Sequence, residues 1–329
     1  MCAGGVYGSR VTGGVWPRVA VVGAGAVGGY FGGMLARAGA HVTLIGRAAH
    51  VNVWTREGLL LERADFQDRI PVSASTDMAA ARDAELVLFS VKSTNTEETA
   101  QDLARHLRSD ALIVSLQNGV DNVERMRRVA ALDPIAAVVY VASSMPAPGH
   151  IRHGGRGDLL IGDTPGRSAP TRPDDLRRVS AWFEKAGVPC HVSDNIEGDL
   201  WTKLILNAAL NPISAVVHAT YGEAVAVPEV RELMRQLATE CVAVARASGV
   251  VLPAADYVEM VWRFAETAGQ VYSSTAQDLD RGRRTEIDAL NGFVVRRGAE
   301  VGVPTPANQA LLAMVKLREM RVDSRQPSG

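Results

Sequence analysis

Val19-Ala20-Val21-Val22-Gly23-Ala24-Gly25-Ala26-Val27-Gly28 joins an apolar, β-branched run to a glycine-rich loop. The run reads as a buried strand, and Tyr30 to Ala38 behind it reads as a helix. A bare G-x-G-x-x-G is a weak match, because glycine and alanine are common. The order strand, loop, helix is what gives it meaning. Gly23 permits the tight turn, Gly25 lets a pyrophosphate approach the backbone, and Gly28 lets helix and strand pack closely. The helix N-terminus offers free N–H groups to phosphates. Gly23, Gly25, Ala26 and Gly28 are therefore candidate dinucleotide-binding positions. The bland alternative is a tight turn before a helix of small residues.

The next strand, His41-Val42-Thr43-Leu44-Ile45, runs into Gly46-Arg47. An NAD site usually carries Asp or Glu here to accept from the ribose 2′-OH. No carboxylate stands at that position. An arginine can instead take a 2′-phosphate in a charge-assisted contact, so Arg47 points to NADPH/NADP+ over NADH.

The chain has 329 residues, enough for two domains of ordinary size, and 47% of them are hydrophobic against 22% charged. A net charge of −1 with no basic block argues against a nucleic-acid partner. Three scattered cysteines suit reduced thiols in a cytoplasmic protein, not a disulfide framework. Neither they nor the seven histidines have metal-ligand spacing, so no metal is expected. Residues 19 to 36 lack charge, but six are glycine, and the apolar part is too short for a membrane span.

From Val19 to about Asn118, strands and helices alternate, as in a parallel, doubly wound sheet. Glu85 to Val91 and Ala111 to Leu116 read as buried strands, and Thr96 to Leu107 as a helix. Ligands of such sheets bind beyond the carboxyl ends of the strands. Lys92 and Asn118 follow two such ends and are candidates for the cofactor crevice. Their plainer readings are a loop lysine and an Asn-Gly turn. Residues 135–162 read as further strands, and Val188 to Val192 as a last one. Beyond about residue 194 the periodicity is helical. The expected division is a loose extension over 1–16, a cofactor domain over 17–194, a helical domain over 195–322 and a loose tail over 323–329. No long linker intervenes, so the domains are expected to share a cleft.

In the helical half, Lys203, Asn207 and Asn211 fall at i, i+4 and i+8, on one face of an otherwise apolar helix. Such a stripe either faces water or lines a cleft. Ser274 with Gln277, and Thr285 with Asp288, match capping boxes. They predict one short helix, a break at Gly282 and a second helix from about Thr285. Glu286 would then sit in a first turn, where the helix dipole favours its ionised form.

These motifs together resemble the ketopantoate reductases (2-dehydropantoate 2-reductases). The resemblance runs from the glycine loop through Val91-Lys92, Gln117-Asn118-Gly119, Pro148-Gly149, Gly155-Arg156-Gly157 and Ile161-Gly162. It continues through Trp201-Thr202-Lys203-Leu204, Asn207, Asn211-Pro212, Ser273-Ser274, Thr285-Glu286-Ile287-Asp288 and Asn291-Gly292. It implies an α/β chain, with an N-terminal Rossmann-type doubly wound parallel sheet followed by an all-helical C-terminal domain. It further implies NADPH-dependent reduction of 2-dehydropantoate to (R)-pantoate, on the way to pantothenate and coenzyme A. In the family, the lysine matching Lys203 is the general acid, and the glutamate matching Glu286 supports the reacting oxygen. Residues matching Asn207, Asn211 and Ser274 hold the substrate, and those matching Lys92 and Asn118 lie near nicotinamide and substrate. Gln270-Val271-Tyr272 departs from the family pattern, which often has an asparagine there. Reduction of another branched 2-oxo acid on the same fold stays open, as does a non-catalytic NADPH-binding regulator. The expected partner is a small 2-oxo acid, with no nucleic acid and no membrane, and a homodimer is left open.

Overall fold

The computed structural model describes residues 16–167 and 170–323. The expected N-terminal extension (apart from Trp16) and the tail beyond Asp323 lie outside the described residues. The N-terminal half follows the order β1 (Arg18–Val22), α1 (Ala26–Arg37), β2 (His41–Ile45), α2 (Ala48–Glu57), β3 (Leu59–Glu62), β4 (Gln67–Ile70), β5 (Ser73–Ser75), β6 (Leu86–Phe89), α3 (Thr96–Ala104), β7 (Leu112–Ser115) and α4 (Asn122–Ala130). It continues with β8 (Ile135–Ala147), β9 (His150–Gly162), α5 (Pro173–Lys185) and β10 (Cys190–Val192). The strands form one sheet in the order β4-β3-β9-β8-β7-β6-β1-β2-β5, with β10 also paired to β9.

The central strands are buried on both faces, as their near-continuous apolar sequences require. Val19 and Val21 of β1 join one core with Phe31, Leu35 and Phe183, while Ala20 and Val22 join a second core with Phe89, Leu103 and Met126. This period-2 split places helices on both sides of the sheet. The sheet is not wholly parallel, as the sequence reading had it. β5, β2, β1, β6, β7 and β8 are parallel, but β8 and β9 run antiparallel, as do β3 and β4. The reason is chain length. Only Pro148-Gly149 joins β8 to β9, and so short a link can connect only antiparallel strands.

Helices follow: α6 (Ile196–Val217), α7 (Tyr221–Val225), α8 (Pro228–Ala247), α9 (Tyr257–Thr267), α10 (Ser274–Asp280), α11 (Asn291–Val301) and α12 (Pro306–Asp323). α6 is long and apolar enough to cross a membrane, but 67% of its most apolar window is buried in this domain, as for the core helix of a globular fold. Pro212 lies inside α6 and supplies no N–H to the carbonyl of Ala208. Asn291, fully buried, donates its Nδ2–H to that carbonyl at 3.0 Å. The helix continues because a side chain fills the gap the proline leaves.

Two helix starts differ from their sequence reading. The N-cap of α10 is Ser273, whose hydroxyl accepts from Ala276 N, so Ser274 is one residue inside the helix and exposed. No helix begins at Thr285. A 3₁₀ turn covers Ile287–Ala289, and α11 starts at Asn291. Thr285 is drawn away to Glu319 Oε1, to which its N–H and hydroxyl donate at 2.7 and 2.6 Å. Glu286 thus precedes a 3₁₀ turn instead of sitting in an α-helical first turn.

Candidate active site

Gly23 turns the chain with φ +79°, and α1 begins at Ala26 with Gly25 as its N-cap. No side chain caps this helix and its first turn holds no carboxylate, so its leading N–H groups are free for an anion. A Cβ on Gly28 would collide with Ser90 Oγ and come within 2.8 Å of Val21 Cγ1. A Cβ on Gly25 would meet nothing closer than Gly23 O at 3.8 Å. Gly28 is therefore required by packing. Gly25 is not, and its openness fits the approach of a pyrophosphate. Arg47, exposed at the end of β2, is the N-cap of α2. His50, one turn on, has its pKa held down first by burial and then by the charges of Arg47 and Arg283. Two guanidinium groups, one from each half of the chain, thus act on the same spot.

Across the seam between the halves, three sequence-predicted residues meet. Lys203, half-buried on α6, donates to Asn118 Oδ1 at 2.9 Å and to the carbonyl of Val139 at 2.5 Å. The Nδ2–H of Asn118 donates in turn to Glu286 Oε2 at 3.0 Å. Asn118 stands there because Gly119, at φ +98°, turns the chain after β7. Asn122 Nδ2 also ties back to the Asn118 carbonyl at 2.7 Å. Ser93 was not singled out from the sequence. Its N–H and its hydroxyl each lie 3.0 Å from Glu286 Oε1. The one signal for it was its place directly after Lys92 at a strand end.

Burial lowers the Lys203 pKa to about 8; Glu286 opposes the shift and Arg156 adds to it. Arg156 adopts φ +52° between Gly155 and Gly157, both also at positive φ. This strained tripeptide sets its guanidinium 4.0 Å from the centre of the Tyr140 ring, while Lys203 Nζ lies 5.9 Å from the same centre. Arg156 is a second contributor that sequence reasoning did not assign to the site.

The remaining predicted residues divide. Asn207 is half-buried, and its side-chain amide makes no hydrogen bond to any described residue. Asn211 is 2% exposed and accepts from the Tyr221 hydroxyl at 2.9 Å, so the polar stripe of α6 runs from the seam into the helical core. Lys92 reaches out of the sheet domain to Asp278 Oδ2 at 2.9 Å and to the carbonyl of Arg284 at 2.7 Å. It joins the halves beside Glu286. Tyr272, in the stretch that departs from the family pattern, packs against His218 with ring centres 4.9 Å apart. A cavity of about 590 Å³ is lined by Glu286 together with Ser93, Asp121, Arg125, Trp201 and Arg296 among others. Lys203 and Asn207 are not in its walls.

Residues 19–166 match the family model described as ketopantoate reductase PanE/ApbA, and residues 195–319 match its C-terminal counterpart. The chain is also 31% identical to the 2-dehydropantoate 2-reductase of Pyrococcus horikoshii, over 92% of this chain and 97% of that one. The chain belongs to the ketopantoate reductase family. Members of this family are NAD(P)-dependent oxidoreductases acting on small molecules. The fold is that of the ketopantoate reductases. A PanE/ApbA-family ketopantoate reductase from Ralstonia eutropha JMP134 superposes with TM-score 0.85 at 49% identity, covering 93% of this chain and 99% of that one. D-mandelate dehydrogenase with NADH and anilino(oxo)acetate shares the fold at 23% identity, with TM-score 0.82 and coverage of 93% and 99%.

Proposed function

We propose that this chain reduces 2-dehydropantoate to (R)-pantoate with NADPH. The observation that carries the reading is the Lys203–Asn118–Glu286 chain, which brings an ammonium and a carboxylate to the seam beside the nucleotide loop. NADPH, when bound, supplies the hydride. Lys203 then faces the developing alkoxide, stabilises its charge and hands over a proton. Asn118 holds the ammonium, and Glu286 orients the reacting oxygen. Asn207, with an unused amide, and exposed Ser274 are the polar partners proposed for the substrate's carboxylate and hydroxyl. Buried Asn211 supports the stripe from behind.

NADPH over NADH is supported by Arg47 at the end of β2 and by the joint action of Arg47 and Arg283 on His50, which amounts to a local positive field. A second reading, reduction of another branched 2-oxo acid, is favoured by Gln270-Val271-Tyr272, where no asparagine stands. A regulator that only binds NADPH has no use for a proton donor held in place by Asn118. Buried, unpaired Cys190 and Cys241 support a reducing cytoplasm. Exposed Met314, Leu317 and Met320 on α12, beside exposed Val217, support a homodimer through that face, to be checked by light scattering.

The deciding experiment is a substrate panel followed by NADPH absorbance. A site built to hydrogen-bond a hydroxyl discriminates strongly against analogues lacking it. The expected result is high kcat/KM for 2-dehydropantoate and far lower values for 2-oxoisovalerate, which lacks the hydroxymethyl group. Equal turnover of both would leave a reductase of broader 2-oxo acid range.

A further inference from the structure

Ser93 is 2% exposed and opens the short 3₁₀ turn that follows β6. Its carbonyl is held by Arg125 Nη2 at 2.7 Å, and Arg125 is itself clamped by the Glu97 carboxylate. The residue is therefore fixed from behind. From the front it offers two donors, N–H and O–H, to one oxygen of Glu286, each at 3.0 Å. The hydroxyl has a single proton and a second acceptor, the Asn118 carbonyl at 2.9 Å. That carbonyl already receives Asn122 Nδ2 at 2.7 Å, so it does not depend on Ser93. The carboxylate is the charged acceptor, and hydrogen bonds to charged groups are the stronger ones.

Glu286 belongs to the helical half, yet every hydrogen bond described for its carboxylate comes from the sheet half: Ser93 on Oε1 and Asn118 on Oε2. The Asn118 amide then passes that orientation to Lys203 through its other end. We propose that Ser93 is a positioning residue for the reaction. It locks Oε1 of Glu286 so that the carboxylate plane, the Asn118 amide and the Lys203 ammonium keep one arrangement around the reacting oxygen. This rests on the proposed role of Glu286 in 2-oxo acid reduction.

The test is a cycle of Ser93→Ala, Glu286→Gln and the double variant, with Ser93→Thr as the conservative control. Steady-state kinetics use NADPH and whichever 2-oxo acid the wild type turns over. Ser93→Ala should lower kcat about 10- to 100-fold, the usual worth of a hydrogen bond to a charged group. NADPH affinity by fluorescence titration should stay within about twofold, because the hydrogen bonds of Ser93 go to Glu286, Asn118, Thr96 and Arg125 and none goes to the glycine loop. Ser93→Thr, which keeps the hydroxyl, should recover most of the activity. In the Glu286→Gln background, Ser93→Ala should add less than about threefold, since coupled residues are not additive. An equal loss in both backgrounds overturns the proposal. Thermal unfolding of the same four proteins reads the contact without any substrate. Non-additive Tm changes uphold the Ser93–Glu286 coupling, and additive ones overturn it. A wild type that ignores 2-dehydropantoate but shows that coupling would sink the substrate reading and leave the positioning role standing.

Discussion

Lys203 and Glu286 make no direct ion pair; Asn118 stands between them, 2.9 Å from the ammonium through Oδ1 and 3.0 Å from the carboxylate through Nδ2. A direct pair would neutralise the proposed proton donor and fill the place proposed for the substrate oxygen. The amide spacer orients both groups while leaving the ammonium's charge uncancelled at short range. The arrangement also spans the two halves of the chain, since Asn118 follows β7 and Lys203 lies on α6.

Lys203→Ala should therefore lower kcat by about 10²–10⁴-fold, the usual worth of a positioned general acid. NADPH affinity should change little, because the glycine loop and Arg47 lie on other elements. Steady-state kinetics with a separate cofactor titration check both. A variant with near-normal kcat would mean that Lys203 only joins the two halves through Asn118 and Val139.

The pH profile follows from the same residue. As the proposed proton donor, Lys203 has to act in its protonated form, and burial lowers its pKa to about 8, so kcat/KM for reduction should fall as pH rises through that value. Glu286 holds the pKa up and Arg156 pushes it down. Glu286→Gln should move the alkaline limb to lower pH, and Arg156→Gln should move it to higher pH. Folding linkage carries the matching sign. The folded pKa is below the ordinary 10.5, so the contribution of this group to stability grows with pH through the window from about 8 to 10.5. An alkaline limb that does not move in either variant would disconnect Lys203 from the profile.

Much of this site could be read from residue order, and the parts that could not have physical reasons. The glycine loop, Arg47 after β2, and Asn118 after β7 were legible because strand ends are marked by a change from apolar runs to glycine and polar residues. The stripe of α6 was legible from helical spacing, but spacing does not say how deep each residue lies. Asn211 turned out buried against Tyr221 because α7 and α10 pack over that end of α6. The helix expected at Thr285 failed because a distant carboxylate, Glu319, takes the N–H and hydroxyl that a capping box would have used. The β3–β4 hairpin was missed because Gln67-Asp68-Arg69-Ile70 lacks an apolar signal; its pairing is supplied by the neighbouring strand. The contacts of Ser93 and Lys92 join residues more than 180 positions apart, which no local pattern encodes.

Arg47→Ala should weaken NADPH binding by roughly 10- to 100-fold, as expected for a lost charge-assisted contact, and leave NADH nearly unchanged. Arg47 is exposed at the start of α2, so its removal should not perturb the fold. Titrating both cofactors decides the matter. Equal losses would move the 2′-phosphate contact elsewhere, with Arg283 the next residue to test.

Gly25 and Gly28 should separate binding from folding, although both belong to one motif. Gly25→Val points its side chain into space where the nearest atom is Gly23 O, 3.8 Å from the Cβ position. The fold should survive with a Tm close to that of the wild type, while cofactor binding is lost because the side chain occupies the pyrophosphate's approach. Gly28→Val instead drives atoms into Ser90 and Val21, where β1, β6 and α1 are in contact. That overpacking should cost roughly 1–3 kcal/mol or more and lower the Tm before any question of ligand arises. Thermal unfolding and cofactor titration of the two variants test the contrast. A Gly25→Val protein that folds and binds NADPH normally would remove the pyrophosphate from this loop. A Gly28→Val protein as stable as the wild type would show that α1 can lift off the sheet without penalty.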